Sequence, residues 1–294
     1  MLEPPVSQYR GRLAPSPTGL LHLGHARTFF FAWQRARAAE GKLVFRNEDL
    51  DYQRCKSEFV SAMYQDLRWL GLDWDEGPDL SGPFAPYSQS QRHNFYLNAW
   101  RKLRDSGTIY PCTCSRKDLE RALSAPHESL HGAALHEADD EVPYPGTCRQ
   151  KITTAARYDS PAGVSWRFKA PDGEVISFID GHFGPQQFVA GQDFSDFLLW
   201  RRDDIPSYQL AVVVDDAAMR ITEVVRGEDL LKSTARQLLL MRAPAYPVPD
   251  YFHCPLLRDE NGVRLAKRHD ALSLRKMREQ GTSPETLREQ FSRQ

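Results

Sequence analysis

Two histidines lie three residues apart near the start of the chain, His22 and His25 in the stretch RLAPSPTGLLHLGHARTFFFAW. Prolines and the glycines Gly19 and Gly24 surround them, which predicts a strand, a turn and a new helix whose first turn carries both imidazoles on one face. The unpaired N–H groups and positive dipole of a helix N-terminus suit a phosphate. The pair therefore indicates donors for a phosphate or nucleotide. The alternatives are a metal site, for which the local sequence offers no further ligand, and a histidine in the core.

Three cysteines form a second candidate site. Cys112 and Cys114 stand in a Cys-x-Cys pair, and Cys148 follows downstream. Soft thiolates favour zinc, and the alternative is a pair of cysteines in a strand without a metal. The intervening segment contains three histidines that are further candidate ligands: His127, His131 and His136. The odd, sparse count of five cysteines argues against a disulfide scaffold. Cys55 and Cys254 are most simply interpreted as buried or half-buried thiols.

The elements that must position these residues alternate between strand and helix in the first third of the chain. Residues 9–14 predict a strand, and 22–40 predict a helix with Gly41 as its C-cap. The stretch KLVFRNEDLD predicts a second strand, and amphipathic helices follow over 54–70 and 91–105. This alternation favours a parallel α/β sheet with right-handed crossovers. Ligands of such sheets bind at the carboxyl ends of the strands.

The middle of the chain follows a different pattern. TIYPCTC predicts a strand, a polar and acidic segment follows, and GVSWRFKAPDGEVISFIDG predicts a hairpin that turns at Asp172-Gly173. This stretch therefore predicts an insertion with antiparallel strands. Beyond it, ITEVVRG predicts a strand, and residues 229–242 predict a helix. A strand, a hairpin at Asn261-Gly262 and a charged helical tail complete the chain.

The composition is that of an ordinary globular protein, with 294 residues, 41% hydrophobic and 26% charged residues and a formal net charge of −1. No apolar run reaches the roughly 18 residues that span a bilayer, and MLEPPVSQYR lacks the pattern of a secretory signal. We therefore expect a cytoplasmic monomer. Residues 264–294 carry eight Lys and Arg against four Asp and Glu, which indicates a local basic surface or a solvated helix face.

Four segments, in order between residues 12 and 268, resemble the motifs of class I aminoacyl-tRNA synthetases of the glutamyl and glutaminyl branch. RLAPSPTGLLHLGH resembles the HIGH signature, and VFRNEDLD resembles the R-x-E-D-x-D segment. YQLAVVVDDAAMRITEVVRGEDLL resembles the amino-acid pocket and its following strand, and RLAKR stands in the place of the KMSKS-type loop. The chain ends about 26 residues later. It therefore resembles most the truncated paralogues of this branch, the glutamyl-queuosine tRNA(Asp) synthetases.

The resemblance implies an α/β fold: a Rossmann-type parallel sheet, an inserted zinc-bearing α+β subdomain and a short C-terminal helical segment, without an anticodon-binding domain. The expected divisions follow the motifs. They are 1–108 and 196–250 for the two halves of the catalytic domain, 109–195 for the inserted subdomain, and 251–294 for the KMSKS-type loop and helical segment.

The implied activity is ATP-dependent, tRNA-independent activation of L-glutamate. The glutamate would then pass to the queuosine base at the wobble position of tRNA(Asp), with Mg²⁺ accompanying ATP. The first alternative is an enzyme that charges a tRNA acceptor end. The second is a non-catalytic synthetase relic that binds RNA.

The resemblance also assigns roles to single residues in glutamate binding. Arg12 and Ser16 would contact the glutamate, and Glu48 would receive its α-ammonium. Tyr208 would line the pocket, and Arg226 would hold a carboxylate. Two carboxylates need at least two cations, and the arginine fork fits a carboxylate better than lysine does. A structural ion pair is the alternative interpretation of Glu48 and Arg226.

The ATP site would comprise His22, Gly24, His25 and Lys267. His22, His25 and Lys267 would be catalytic, because they would stabilise charge that develops on the phosphates. The loop departs from the family pattern, with Arg264 at the first basic position and Ala266 in the place of the usual serine.

The resemblance places one structural zinc ion on three cysteines and on a tyrosine four residues before the last of them. In this sequence those residues are Cys112, Cys114, Tyr144 and Cys148.

Overall fold

The structure, a computed structural model, describes residues 8–115, 117–118, 143–257 and 273–293. Its strands are β1 (Arg10–Leu13), β2 (Lys42–Phe45), β3 (Ile109–Cys112), β4 (Ser165–Phe168), β5 (Val175–Asp180), β6 (Gly184–Val189), β7 (Phe197–Trp200), β8 (Glu223–Gly227) and β9 (Asp250–Cys254). Its helices are α1 (Leu23–Ala38), α2 (Ser57–Trp69), α3 (His93–Asp105), α4 (Tyr208–Ala218), α5 (Leu231–Arg242), α6 (Leu274–Glu279) and α7 (Pro284–Arg293). Short 3₁₀ segments occupy Gln89–Gln91, Arg149–Arg157 and Glu228–Leu230.

Parallel strands form the centre of the fold. β1 pairs with β2, and β9 pairs with both β8 and β5, all in parallel. β1 lies beside β8, where the amide of Thr222 donates to the carbonyl of Arg10 at 2.9 Å. β6 runs antiparallel to β5 at one edge. The predicted α/β class with a parallel sheet is thus confirmed, and the ends of β1, β2 and β8 can supply one ligand site.

A separate three-stranded sheet is antiparallel, with strand order β3-β4-β7. Gly173 forms a turn as predicted, with a φ of 81°. The strands on either side of it nevertheless separate, since β4 joins β3 and β7 whereas β5 joins β6 and β9. The predicted hairpin between them is wrong, because a turn is a local property but partner choice depends on distant residues. The predicted domain boundaries stay predictions.

The helix α1 begins directly after His22, as the sequence predicts, but its end differs from the prediction. Glu40, with a φ of 49°, takes the left-handed conformation that was expected of Gly41. Gly41 instead packs tightly, since a Cβ there would lie 2.6 Å from both Cδ1 and the carbonyl oxygen of Tyr9. The glycine therefore permits a close approach between the turn after α1 and Tyr9, the residue before β1.

The C-terminal helices return to the start of the chain and confirm the predicted helical tail. Ser273 pairs with His22 in an isolated antiparallel bridge, and the amide of Leu274 donates to the carbonyl of Leu21 at 2.9 Å. The helix α7 packs against α1 through Phe291. The segment after residue 272 is consequently attached to the first turn of α1. The predicted turn at residues 261 and 262 lies outside the described residues. Within the described ranges, no helix combines the length and apolarity needed to cross a membrane.

Candidate active site and metal centre

The predicted glutamate-binding residues come from four elements near the ends of the parallel strands. Arg12 lies in β1, Glu48 follows β2, Arg226 lies in β8 and Tyr208 begins α4. The loops after β1 and β2 are joined, because the amide of Glu48 donates to the carbonyl of Pro15 at 3.1 Å. The neighbouring Ser16 is exposed in the first of these loops.

Arg12 is the buried cation at the centre of this group. Its NH1 donates to the carbonyl of Val225 in β8 at 2.7 Å. Its Nε makes no hydrogen bond and lies 3.6 Å from a carboxylate oxygen of Asp216. Burial lowers the pKa of Arg12, while the charges of Asp216, Arg46 and Arg226 also act on it. The structure thus brings Arg12 and Arg226 into one electrostatic environment.

Glu48 is buried and pairs with Arg46 through one of its two oxygens. The Arg46 guanidinium donates to Oε1 of Glu48 at 3.0 Å and to Asp216 at 2.6 Å. Oε2 of Glu48 makes no hydrogen bond to a described residue. Burial raises the pKa of Glu48, against the opposing effect of Arg46. The structural ion pair therefore accounts for one oxygen, and the other is available to a cationic ligand group.

Asp215 is another buried carboxylate beside this site. It accepts from Arg92 at 2.6 Å, from Gln89 at 2.8 Å and from Tyr96 at 2.9 Å. The roles of Arg46, Asp215 and Asp216 were not predicted from the sequence. The signal was present, because charged residues directly follow apolar runs in VFRNED and AVVVDD, and buried charges are rare unless paired.

Arg226 is buried among neutral acceptors. Its Nε donates to Nε2 of His253 at 3.1 Å, NH1 to Gln237 at 2.9 Å, and NH2 to Thr234 at 2.7 Å and to the carbonyl of Leu230 at 3.3 Å. None of these partners is a carboxylate, and Arg226 makes no ion pair with a described residue. Four of the five N–H bonds of a guanidinium are used, so Arg226 can offer one N–H and its charge to a ligand.

Tyr251 provides a further polar group, which was not predicted from the sequence. Its hydroxyl is buried and has no hydrogen-bond partner, and its ring lies 5.5 Å from the Arg226 guanidinium. Burial raises the pKa of Tyr251, and the charges of Arg226, Asp216 and Arg12 act on it as well. Buried polar groups are normally hydrogen-bonded. The unpartnered donors on Arg12 and Tyr251 therefore fit an anionic ligand.

The two histidines of the opening motif lie at the start of α1, where they were predicted. His22 is the N-cap residue and makes no side-chain cap, and His25 is exposed in the first turn. Their rings lie 5.7 Å apart. A Cβ on Gly24 would meet nothing within 4 Å. This helix end can accept an anion, whereas Arg264, Ala266 and Lys267 lie outside the described residues.

The three predicted cysteine ligands lie together, with their Sγ atoms all within 4.8 Å of one another. The Sγ atoms of Cys114 and Cys148 are 3.6 Å apart. The hydroxyl of Tyr144 lies 3.5 Å from Sγ of Cys112 and 3.7 Å from Sγ of Cys114. A tetrahedral zinc ion with Zn–S bonds of about 2.3 Å implies S···S distances of about 3.8 Å. The donor set therefore fits zinc, and the rival histidines His127, His131 and His136 lie outside the described residues.

The electrostatics of this cluster favour a thiolate at one position. Burial would raise the pKa of Cys148, but hydrogen bonds from the amide of Thr113 and from Tyr144 and Cys114 lower it to about 6. Burial raises the pKa of Cys114 to about 11. Cys148 thus becomes a thiolate more readily than Cys114, and the thiolate is the form of cysteine that binds metals.

Comparison with known proteins identifies the type of catalytic domain that the chain resembles. The model of the family described as tRNA synthetases class I (E and Q), catalytic domain, matches residues 8–294. A glutamyl-Q tRNA(Asp) synthetase of Symbiobacterium thermophilum is 49% identical over 280 residues, which cover 94% of this chain and 83% of that protein. One from Nitratidesulfovibrio vulgaris is 48% identical over 274 residues, covering 92% of this chain and 82% of that protein.

Solved structures agree with this similarity. A crystal structure of a glutamate tRNA ligase from Elizabethkingia meningosepticum, in complex with its amino acid, superposes with a TM-score of 0.75. It is 29% identical in sequence, and the match covers 89% of this chain and 52% of that one. The shared part is thus about half of the larger protein.

Proposed function

Because the chain belongs to the class I tRNA synthetases for glutamate and glutamine, and within them to the glutamyl-Q tRNA(Asp) synthetases, we propose that it activates L-glutamate with ATP in the absence of RNA. The glutamate then passes to the queuosine base at the wobble position of tRNA(Asp). The family makes the chain a ligase. The choice of queuosine rests on the similarity to the two glutamyl-Q relatives, of which it spans more than four fifths.

The observation that carries glutamate as the substrate is the set of unpartnered groups at the strand ends. Arg12 and Tyr251 have buried donors without acceptors, and Arg226 is a buried cation without a carboxylate in contact. Oε2 of Glu48 lacks a donor among the described residues. An amino acid with two carboxylates and one ammonium satisfies all four groups, and leaving them unsatisfied is costly.

Adenylation needs positioning and electrostatics rather than a protein nucleophile. An α-carboxylate oxygen of glutamate bonds to the α-phosphorus of ATP, and the bond to pyrophosphate breaks. His22 and His25 at the start of α1, with Lys267, donate to phosphate oxygens as their charge increases. Gly24 leaves the helix end open to the nucleotide. Mg²⁺, when bound with ATP, neutralises phosphate charge.

The first experiment measures exchange of labelled pyrophosphate into ATP without RNA. We expect exchange with glutamate and little with glutamine, because an amide cannot pair with two guanidinium groups as a carboxylate does. Exchange that requires added tRNA would instead favour an enzyme of the conventional glutamyl type.

The second experiment identifies the recipient. Labelled glutamate is offered with tRNA(Asp) that contains or lacks queuosine, and with a tRNA that lacks the 3′-terminal adenosine but retains queuosine. We expect transfer to every queuosine-containing tRNA, whether or not the acceptor end is intact. The rival function is charging of an acceptor end, favoured by the similarity to a glutamate tRNA ligase. It requires the terminal adenosine and is indifferent to queuosine.

We further propose that Cys112, Cys114, Tyr144 and Cys148 hold one structural zinc ion. The ion would crosslink the end of β3 to the 3₁₀ segment that begins at Arg149. The distances among the sulfur and hydroxyl donors support this set of ligands.

A further inference from the structure

A buried imidazole stands directly behind Arg226. His253 in β9 is the register partner of Arg226 in β8, and its side chain is 0% exposed. Its Nε2 accepts from Nε of Arg226 at 3.1 Å, and its Nδ1 lies 2.6 Å from Oδ2 of Asp180. Asp180 ends β5, the strand on the other side of β9. The three side chains thus form a continuous hydrogen-bonded chain across three adjacent strands.

The charge state of Asp180 fixes the tautomer of His253. Asp180 accepts the amides of His182 at 3.0 Å and of Phe183 at 2.9 Å. Burial would raise the pKa of Asp180, but the bonds from His253 and from these amides lower it to about 2. An ionised carboxylate can only accept, so the imidazole must carry its proton on Nδ1. Nε2 is then an acceptor, and it faces Nε of Arg226 at 3.1 Å and the hydroxyl of Thr234 at 3.3 Å.

The neutral form of His253 is also required by its surroundings. Burial lowers its pKa to about 4, and Arg226 adds to this effect. A protonated ring, or the opposite tautomer, would place an N–H against the Nε–H of Arg226. The guanidinium would then lose one of the contacts that fix its plane, while Gln237 and Thr234 hold only the NH1 and NH2 ends.

We propose that Asp180 and His253 are positioning residues that orient the Arg226 guanidinium toward the substrate carboxylate. The inference rests on the proposed glutamate-activating function. His253 contacts Arg226 directly, and Asp180 acts on Arg226 through His253. Outer partners of this kind orient a binding group and set its tautomer. Displacing the guanidinium should therefore weaken glutamate binding and leave ATP binding intact.

The test compares two replacements of His253 in RNA-independent exchange. Asparagine keeps a donor in the place of Nδ1 but lacks an acceptor at Nε2, whereas glutamine places its carbonyl oxygen where Nε2 stood. We expect His253→Asn to raise the KM for glutamate about tenfold or more, the range of a lost bond to a charged group. The KM for ATP should not change, and His253→Gln should restore the KM for glutamate to within about threefold of wild type.

His182→Asn is the matched control, because this exposed histidine contacts Phe183 and Phe252 but not Arg226. Equal KM values for glutamate in wild type and His253→Asn would overturn the inference. So would parallel increases in the KM for glutamate and for ATP in both His253 variants. If the wild-type protein shows no glutamate-dependent exchange, the proposed function itself fails, and that result is obtained before any variant is made.

A measurement on the unaltered protein keeps the inference testable if the variants do not fold. The ¹⁵N chemical shifts of His253 distinguish its tautomers. We expect the Nδ1–H form throughout pH 6 to 8. An Nε2–H signal, or a doubly protonated ring in this range, would overturn the assignment.

Discussion

At the scale of single residues, the two arginines of the site differ in the hydrogen-bonding capacity they retain. Arg226 has committed four N–H bonds to its neighbours, whereas Arg12 donates one bond, to Val225. Two parallel bonds to a carboxylate therefore come most readily from Arg12. Arg226 contributes a single bond and a fixed charge.

Arg12→Lys should lower kcat/KM for glutamate about 100-fold with little change in the KM for ATP, because lysine keeps the charge but loses the fork. Steady-state exchange kinetics at varied glutamate concentration measure the effect. Arg35→Lys is the control, since Arg35 makes an equally forked ion pair with Glu223 at the opposite end of β8. If the two variants behave alike, Arg12 does not hold the substrate in this way.

The pKa of His253 predicts a pH dependence of stability. The folded state keeps this imidazole neutral down to about pH 4, while the unfolded chain takes up the proton near 6.5. The stabilisation is therefore complete above pH 6.5 and is lost as the pH falls toward 4. The difference between the folded and unfolded pKa values corresponds to about 3 kcal/mol in the free energy of unfolding. Urea unfolding between pH 4.5 and 7.5 should show a flatter pH profile for His253→Gln than for wild type. Parallel profiles would contradict the prediction.

Much of the site could be predicted from the resemblance of short motifs to those of the synthetase family. That resemblance nominated Arg12, Glu48 and Arg226, and the structure brings all three to the strand ends. Tyr251 and His253 could not be predicted. A tyrosine and a histidine in an apolar strand are ordinary, and their significance depends on a hydroxyl without a partner and an acceptor facing Arg226.

At the scale of elements, local sequence patterns predicted where strands and helices lie, but they did not predict which strands pair with one another. The strand–turn–helix of β1 and α1 depends on residues close in sequence, so its bounds were predicted within two residues. The hairpin after β4 failed because β3 and β7, which are distant in sequence, compete for that strand. Likewise, the need for glycine at residue 41 arises from contact with Tyr9, which lies before the helix and is invisible to helix-capping rules.

Two glycines at opposite ends of α1 offer a paired test. Gly41→Ala should destabilise the fold by about 1–3 kcal/mol, because its Cβ would overlap Tyr9. Gly24→Ala has open space and should stabilise the helix by up to about 1 kcal/mol. If ATP occupies that space, Gly24→Ala should also raise the KM for ATP. Chemical unfolding and exchange kinetics separate the effects. A stable Gly24→Ala variant with an unchanged KM for ATP would show that the nucleotide does not bind at this helix end.

At the scale of the whole molecule, tertiary contacts join segments that are far apart in the sequence. The C-terminal helices reach back to the first turn of α1 through Ser273 and Leu274. The cysteine cluster likewise joins the end of β3 to the segment that contains Cys148, because Sγ of Cys148 lies 3.6 Å from Sγ of Cys114. The family resemblance nominated Tyr144 together with the three cysteines, and the folded chain brings all four side chains together.

The metal centre should therefore act as a crosslink and not as part of the reaction. Purified protein should contain one zinc ion per chain, and Cys148→Ser should lose it, since Cys148 supplies one of the three sulfur ligands. Removal of the ion should lower the thermal midpoint by at least about 5 °C, because closing this loop restricts the unfolded chain. Cys55→Ser, at a half-buried cysteine outside the cluster, is the control.

Tyr144→Phe should weaken zinc retention. Unchanged retention would indicate that another residue is the fourth zinc ligand. Glutamate-dependent exchange should survive in metal-free protein that stays folded, because the glutamate site lies on the other sheet. Loss of exchange in such folded protein would refute the purely structural role.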